Sequence, residues 1–523
     1  MKRRIHTQRL YKTIGWFLLN LSVMVSCTSS LPKQYVDVQE DTLKIYPDYK
    51  NIIIPQNIAP LNFVVDNQAD CWWVCVKSSE GNALLTMSDD DRKFCFSKKE
   101  WNKIMSENVS KTLCVDVYMK KKNTCYKYPS FKWTVVADSI DPYVTCRLIE
   151  PLYNAVGRIT LSQFDLENGT YKDLADNKRF IDDVSREDGP KCVNCHTKQR
   201  NGSGNALFFC RGKVGGMVLT YNGKTQFVDT KVGDLRVSAV FSAWHPTKPY
   251  IAFSNNKVMQ LFMSKADSKI EPLDFYSDLL MYDIERNEVS YILQTPHQME
   301  MNPYWSADGK YVYYCSSDSL LNNQNVLLYK NMKYDLMRVA FQEDSLTWGK
   351  PEMVYHATAE GKSVSKPKIS PDNRYVLFTL SDFGGYHYSH PDADLYIYDL
   401  EKKQALPLDS INTERAEGIG DWSNTGRWIL VSSRVDGTYT RLFLSYFDNE
   451  GIAHKRFQLP HEDPLFDRDM MKNYNAPEFG TNDVKMTPIE LNELVDKAEV
   501  LKANYRGEMI YQPDGLSGAS VIK

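Results

Sequence analysis

Between residues 240 and 450 the chain alternates short apolar runs with polar turns on a repeating plan. Four segments show it: Trp244-HPTKPYIAFSNN, Trp305-SADGKYVYYCSS, Ile369-SPDNRYVLFTLS and Trp422-SNTGRWILVSSR. Each opens on an aromatic or apolar residue, continues through Ser or His into a Pro/Asp/Asn/Gly turn, and ends in an apolar run. The turn residues supply tight-turn geometry and the run supplies a buried strand. A second alternating stretch follows each one, at 277–288, 333–344, 393–404 and 439–451, and the leading positions lie 61, 64 and 53 residues apart. Four short strands at such a period predict a propeller blade. One blade cannot bury both of its faces, so several must close a ring. A tandem sandwich would supply strands, but not so close a recurrence of turn and strand together.

One period upstream the chain reads PKCVNCHTKQRNGSGNALFFCRGKVGGMVLTYNGKTQFVDT (190–230), and its tail carries the blade pattern with an Asn-Gly turn. Counting back in this way puts Cys192-Val-Asn-Cys195-His196 at the loop position that Trp-Ser-x-Asp-Gly fills in later blades. The expected fold is therefore mainly β. A propeller of five or six blades spans 151–460, with five over about 190–460 and a sixth closed by strands from 150–175. A small β-rich domain precedes it at 27–150, where the runs NIII, WWVCV, TLCVDVYM and FKWTVV alternate with polar turns. Residues 461–523 form an extension. In it Thr487-Pro488-Ile489-Glu490 has capping-box spacing, and Leu491, Leu494, Val495, Ala498 and Leu501 recur at helical intervals. One amphipathic helix packed on the propeller is expected there.

The N-terminus changes the picture of where the chain works. Five Lys/Arg and no acid precede an apolar run, Ile14 to Val25, which ends at Val25-Ser26-Cys27. The run suits a signal peptide better than a membrane span. A small residue before a cysteine resembles a bacterial lipobox, with residues 1–26 removed and Cys27 lipidated; a retained signal anchor is the alternative. Loss of those five positive charges moves the formal charge from −3 to −8, which disfavours a nucleic-acid surface. Of the 11 cysteines, Cys71, Cys75, Cys95, Cys114, Cys125 and Cys146 crowd the first 150 residues, where an exported protein could pair them as disulfides.

The repeats Trp305-SADGKYVYY and Ile369-SPDNRYVLF resemble the WD40-like repeats of TolB-type propellers. More closely, NIAPLNF (57–63), IDPYVTCRLIEP (140–151), KCVNCH (191–196), WHPTKPYIAFS (244–254) and YWSADGKYVYYCS (304–316) resemble predicted lipoproteins of Bacteroides-type bacteria. Those carry a TolB-like propeller, a β-rich N-terminal region and a single C-x-x-C-H before the first clear blade. They are often labelled cytochrome c biosynthesis or TolB-like proteins. The family more often has Ser where Thr197 follows the motif histidine here, a departure that leaves the haem chemistry untouched. The resemblance implies fold and envelope location more than activity.

A covalent c-type haem needs two thiols for the porphyrin vinyls and a histidine directly after the second. Cys192, Cys195 and His196 meet that requirement, with His196 as proximal iron ligand. A redox disulfide between Cys192 and Cys195 is one alternative. Zinc held with Cys210 and a further histidine is another. A distal ligand could come from His245, if its loop matches the motif's position on the adjacent blade, or from Met217, Met299 or Met301. The sixth position could also stay open. The simpler role for His245 is to cap its own turn, and for the methionines to pack in the core. His387 and His390, in GGYHYSHPDAD, make a local cluster that suits a metal or a solvated loop. No G-x-S-x-G occurs, and Ser306-Ala-Asp308-Gly309 lacks the spacing of a sialidase Asp box.

The expected function is a lipid-anchored cell-envelope protein of the outer membrane, periplasmic or surface-facing. It carries one haem c for electron transfer or redox sensing and meets an envelope or redox partner, not nucleic acid. The alternative is a haem-free propeller scaffold that binds an envelope protein or a glycan, with Cys192–Cys195 as a disulfide.

Overall fold

The computed structural model describes residues 30–151, 159–176, 192–211, 216–231, 239–262, 270–318, 326–434, 437, 439–485, 487, 489–490 and 499–507. The leader and Cys27 lie outside these residues, as do Leu491, Leu494, Val495 and Ala498. No helix among the described residues is long and apolar enough to cross a membrane.

The repeats build a ring of six antiparallel blades. The innermost strands, in ring order, are Asn473–Gly480, Cys192–Gln199, Val240–Trp244, Gln298–Trp305, Ser363–Ile369 and Glu417–Trp422. Each touches the next, and the last touches the first. The four repeating segments of the sequence are the turn after the inner strand and the second strand of blades three to six: Tyr250–Phe262, Tyr311–Asp318, Tyr375–Ser381 and Trp428–Ser433.

The turn chemistry explains the repeat. Ser306 Oγ accepts the Tyr311 N–H at 2.9 Å and donates to Asp308 Oδ1 at 2.6 Å. Ser370 repeats both bonds with Tyr375 and Asp372, and Ser423 accepts from Trp428 N at 3.0 Å. Indole groups then link neighbouring blades: Trp244 donates to Thr197 O at 3.3 Å and Trp422 to Lys368 O at 3.1 Å.

Both faces of a blade are buried. In Trp428–Ser433, Trp428 and Leu430 join one apolar cluster while Ile429 and Val431 join another. Separate clusters fill the gaps between successive blades, as a ring of two-faced sheets requires.

The first blade, which closes the ring, differs from the expectation. Its inner strand Asn473–Gly480 pairs with Tyr143–Ile149, followed by Thr160–Asp165 and Thr170–Asp176. The boundaries expected at 150 and 460 therefore cut through a blade. A ring has no covalent closure, so a blade drawn from both ends of the chain shuts it by hydrogen bonds.

The C-terminal segment differs too. The Thr487–Glu490 capping box forms, with Thr487 N donating to Glu490 Oε2 at 2.8 Å and Glu490 N to Thr487 Oγ1 at 3.3 Å. Leu501, however, lies in a strand, Val500–Lys502, which pairs parallel to the outer edge of the second blade; Asn504–Tyr505 does the same on the third. The unpaired edges of those two blades supply hydrogen-bond partners for these strands, so the expected helix does not reach Leu501; its other apolar positions lie outside the described residues.

Among the described residues the N-terminal region holds a seven-stranded sheet, a three-stranded sheet and one helix, Lys98–Glu107, capped by Ser97. Trp72, Trp101 and Trp133 of this region share one core with Leu430, Leu442 and Phe457 of the last blade and with Val144 and Tyr474 of the first.

Candidate functional site

C-x-x-C-H does not occupy a turn. It begins the innermost strand of the second blade, Cys192–Gln199, and the turn that matches Ser306-Ala-Asp-Gly is the following Arg200–Asn201. Lys198 stands where the other blades carry Trp, Ile or Phe, which removed the apolar marker from this repeat and displaced the count.

Cys195 marks a device common to the ring. Its φ is +51°, and the pairing with the second strand slips between Asn194 and Thr197. Phe241 (+51°), Asn302 (+56°), Lys366 (+53°) and Ala476 (+47°) are left-handed at the same kind of slip in their own inner strands. The slip in the last blade falls at Gly418. A bulge re-aims side chains and tightens twist, so this ring of bulges determines what faces the central channel.

Around Cys195 the channel wall is cationic and closely hydrogen-bonded. Arg147, from the second strand of the first blade, donates to Asn194 Oδ1 and, at 2.6 Å, to Asn475 Oδ1. His196 Nε2 lies 3.3 Å from Thr145 O. Loss of solvent, with Lys198 and Arg147 close by, pushes its pKa down to about 3, so the ring is neutral. Glu478 accepts from Thr197 Oγ1 at 2.9 Å and from Lys198 N at 3.2 Å, while Lys198 Nζ donates to Phe479 O at 3.0 Å. Lys368 pairs with Asp421 at 3.2 Å and lies 4.6 Å from the Tyr304 ring centroid. Lys366 reaches across to Asn302 Oδ1 at 2.6 Å and sits 3.3 Å from the Phe241 centroid.

The described side chains do not fit a haem held by Cys195 and His196 together. Cys195 packs on the cluster between the second and third blades, with Phe209, Trp244 and Phe253. His196 points the other way, to the first blade. A haem thioether and its proximal ligand need a common side, and the bulge at Cys195 turns these two side chains to different neighbours.

The cysteine alternatives change as well. Cys195 is a free thiol, so the expected Cys192–Cys195 disulfide is absent. Cys75, Cys95, Cys114, Cys125 and Cys146 are also free while Cys71 is disulfide-bonded, so no bridge joins any two of those six. Cys210 is buried with Val193 between the first and second blades. No group of three His, Cys, Asp or Glu among the described residues could hold a metal ion.

His245 caps its turn. Its Nδ1 accepts from Thr247 N at 3.2 Å and Lys248 N at 3.0 Å, and its ring packs on Trp305 at 4.7 Å, which points it to the fourth blade rather than to His196. Met217, Met299 and Met301 are core residues.

His387 and His390 are not on a solvated loop; they are 1% and 2% exposed. A long hairpin from the third blade, Tyr250–Phe262 with Ile270–Asp283, reaches the fifth blade. There Glu271 Oε2 meets His390 Nε2 at 2.7 Å and Asp274 accepts from Tyr386 at 3.0 Å.

No family model matches the chain, and no curated protein matches it. Among solved structures it is similar to the tricorn protease at 12% identity and TM-score 0.30, over 64% of this chain and 32% of that one. It is also similar to the GH74 enzyme of Niastella koreensis (8%, TM-score 0.34, 60% of this chain and 54% of that one). A third is the periplasmic gluconolactonase PpgL of Pseudomonas aeruginosa (13%, TM-score 0.29, 61% and 97%). The chain thus spans about a third of the tricorn protease and about half of the GH74 enzyme.

Proposed function

We propose that the protein is a haem-free propeller scaffold of the cell envelope, tethered through Cys27, that recognises an envelope protein or a glycan. One observation carries this choice over a cytochrome. The motif residues are wall components of the ring, with Asn194 tied to Arg147, Thr197 to Glu478, and Cys195 and His196 turned to different neighbours. The haem reading is favoured by the C-x-x-C-H spacing and by the free thiol of Cys195, and one experiment separates the two. The full chain is made in a host that matures haem c, beside Cys192→Ala/Cys195→Ala, and examined by pyridine-haemochrome spectrum and haem-stained denaturing gel. Both proteins should be haem-free. A c-type spectrum that survives denaturation and vanishes in the variant would establish a cytochrome. The tether is proposed from residues 1–27 alone; a clickable fatty acid should label the wild type and leave Cys27→Ala unlabelled.

A further inference from the structure

We propose that the central channel, at the level of the bulge ring, binds a small oxyanion, a carboxylate or a phosphate. The inference deepens the scaffold reading and rests on a channel free of haem.

Two cations there have no carboxylate partner among the described residues. Arg147 spends two nitrogens on the amide oxygens of Asn194 and Asn475, and its Nε has no partner. Lys366 has the Asn302 oxygen and the face of Phe241; burial pushes it down to about 7, so it is partly charged at neutrality and an anion beside it would draw the proton onto it. The acids of this wall have partners of their own, although Glu478 Oε2 has no hydrogen bond and lies 3.9 Å from Lys198 Nζ. Asp421 accepts from Phe479 N and pairs with Lys368; Glu478 holds Thr197 and the Lys198 backbone. The Lys368 side chain keeps 19% of its surface and Asp421 only 2%, so in this pair the cation is the more accessible partner.

Neutral donors complete the set. Ser242 Oγ, Ser365 Oγ, Thr145 Oγ1 and Asn302 Nδ2 are buried without a hydrogen-bond partner. Ser242 and Ser365 flank the left-handed residues Phe241 and Lys366, and Asn302 is itself left-handed. Buried polar groups are almost always satisfied, so these unpartnered donors call for water or a ligand. Unpaired cations among hydroxyl and amide donors select an oxyanion, whose several lone pairs accept from all of them.

The experiment uses the processed full-length protein at low salt. Isothermal titration and thermal shift are run with citrate, glucuronate and inorganic phosphate. Glucose and sodium chloride of equal ionic strength are controls. A saturable heat and a rise in Tm are expected with at least one anion and with neither control; citrate or glucuronate alone would assign a carboxylate, phosphate alone a phosphoryl group. Arg147→Met and Lys366→Met should each weaken binding about 10–100-fold, the loss of one charge-assisted contact, while Lys402→Met on the surface should not. As a locator, the anion should slow iodoacetamide labelling of Cys195 and leave that of Cys95 unchanged. If Arg147→Met fails to fold, Lys366→Met and the labelling decide. No anion-specific shift in the wild type, or binding indifferent to a folded Lys366→Met, would overturn the site. A haem spectrum would instead overturn the scaffold reading, and it is read separately.

Discussion

His245 and Gly309 offer a direct test of how successive blades lock together. Gly309 has φ +74°, and a Cβ placed on it would lie 2.3 Å from His245 Nε2 and 2.5 Å from Cε1. Gly309→Ala carries two penalties. The left-handed backbone costs an L-residue about 1 kcal/mol, and forcing a methyl into an occupied contact costs about 1–3 kcal/mol more. His245→Ala has its own cost. It deprives Thr247 N and Lys248 N of their acceptor, comparable to a lost cap at about 1 kcal/mol, and it empties the space against Trp305, for about 2 kcal/mol more. In the double variant the histidine ring is gone, so the methyl has room and only the backbone term survives. The double variant should therefore be less destabilised than the sum of the singles by about 2 kcal/mol. Urea unfolding followed by tryptophan fluorescence measures each corner of the cycle, with Trp305 beside the site as reporter. Additivity within about 0.5 kcal/mol would refute the packing argument. A His245→Ala protein as stable as wild type would refute the structural role of the ring altogether.

Three further outcomes are expected. Arg456 donates to Glu417 at 2.8 Å, with side chains 9% and 0% exposed, and Glu417 also holds Thr413 and Ser433; Arg456→Met should cost about 3–5 kcal/mol by stranding a buried carboxylate, and Glu417→Gln in that background should recover part of it in denaturant titrations. Ser97→Ala should cost about 1 kcal/mol, because Ser97 Oγ accepts from Glu100 N at 3.3 Å; an unchanged urea midpoint would count against the cap. Burial holds His196 down to about 3, His245 to about 4 and His387 to about 3. These rings protonate more readily in the unfolded chain, so their contribution is full above about pH 6.5 and lost as pH falls towards 3–4. Burial raises Asp278 to about 7 and Glu300 to about 8, so theirs is complete below about pH 4 and lost as pH rises to 7–8. Stability should therefore peak on the acid side of neutrality, and Glu300→Gln should flatten the alkaline limb; Tm rising steadily from pH 5 to 8 would contradict this.

The repeat was legible because its turn is written in side chains. Ser306 with Asp308 and Ser370 with Asp372 make the same bonds, and the strands they introduce are continuous apolar runs. Closure was harder to read, because the blade that shuts the ring takes strands from positions 143 and 473, far apart in sequence. A signal for it does exist. Asn302-Pro-Tyr-Trp, Lys366-Pro-Lys-Ile and Ala476-Pro-Glu-Phe share one pattern, a left-handed residue followed by proline and, two residues on, an apolar anchor. Proline inside a sheet is confined to edges and bulges, so Ala476-Pro-Glu-Phe marks a sixth inner strand inside what reads as a tail. The helix Lys98–Glu107 was also readable, from Ser97-Lys-Lys-Glu100 and the spacing of Trp101, Ile104 and Met105. The burial of His387 and His390 was not, since it depends on Glu271 of a hairpin two blades away.

The same bulges give C-x-x-C-H a structural setting that its spacing alone does not convey. In a haem-attachment segment the two cysteines and the histidine must converge on one cofactor. Here they begin an inner strand whose local turn is set by the ring, and the left-handed residue happens to be the second cysteine. Across the six blades the slip carries Cys195, Phe241, Asn302, Lys366, Gly418 and Ala476, all of them left-handed except Gly418. The backbone device recurs while the side chain changes from thiol to aromatic, amide, ammonium, hydrogen and methyl. Conformational demands are thus met by the bulge itself, which leaves the side chains free to differ. Chemistry in the channel follows from that set of six together with Arg147 and Lys368 behind it, not from any short motif. For this reason Lys366 and Arg147, which no sequence pattern singles out, are the positions at which a substitution should alter binding without unmaking the ring.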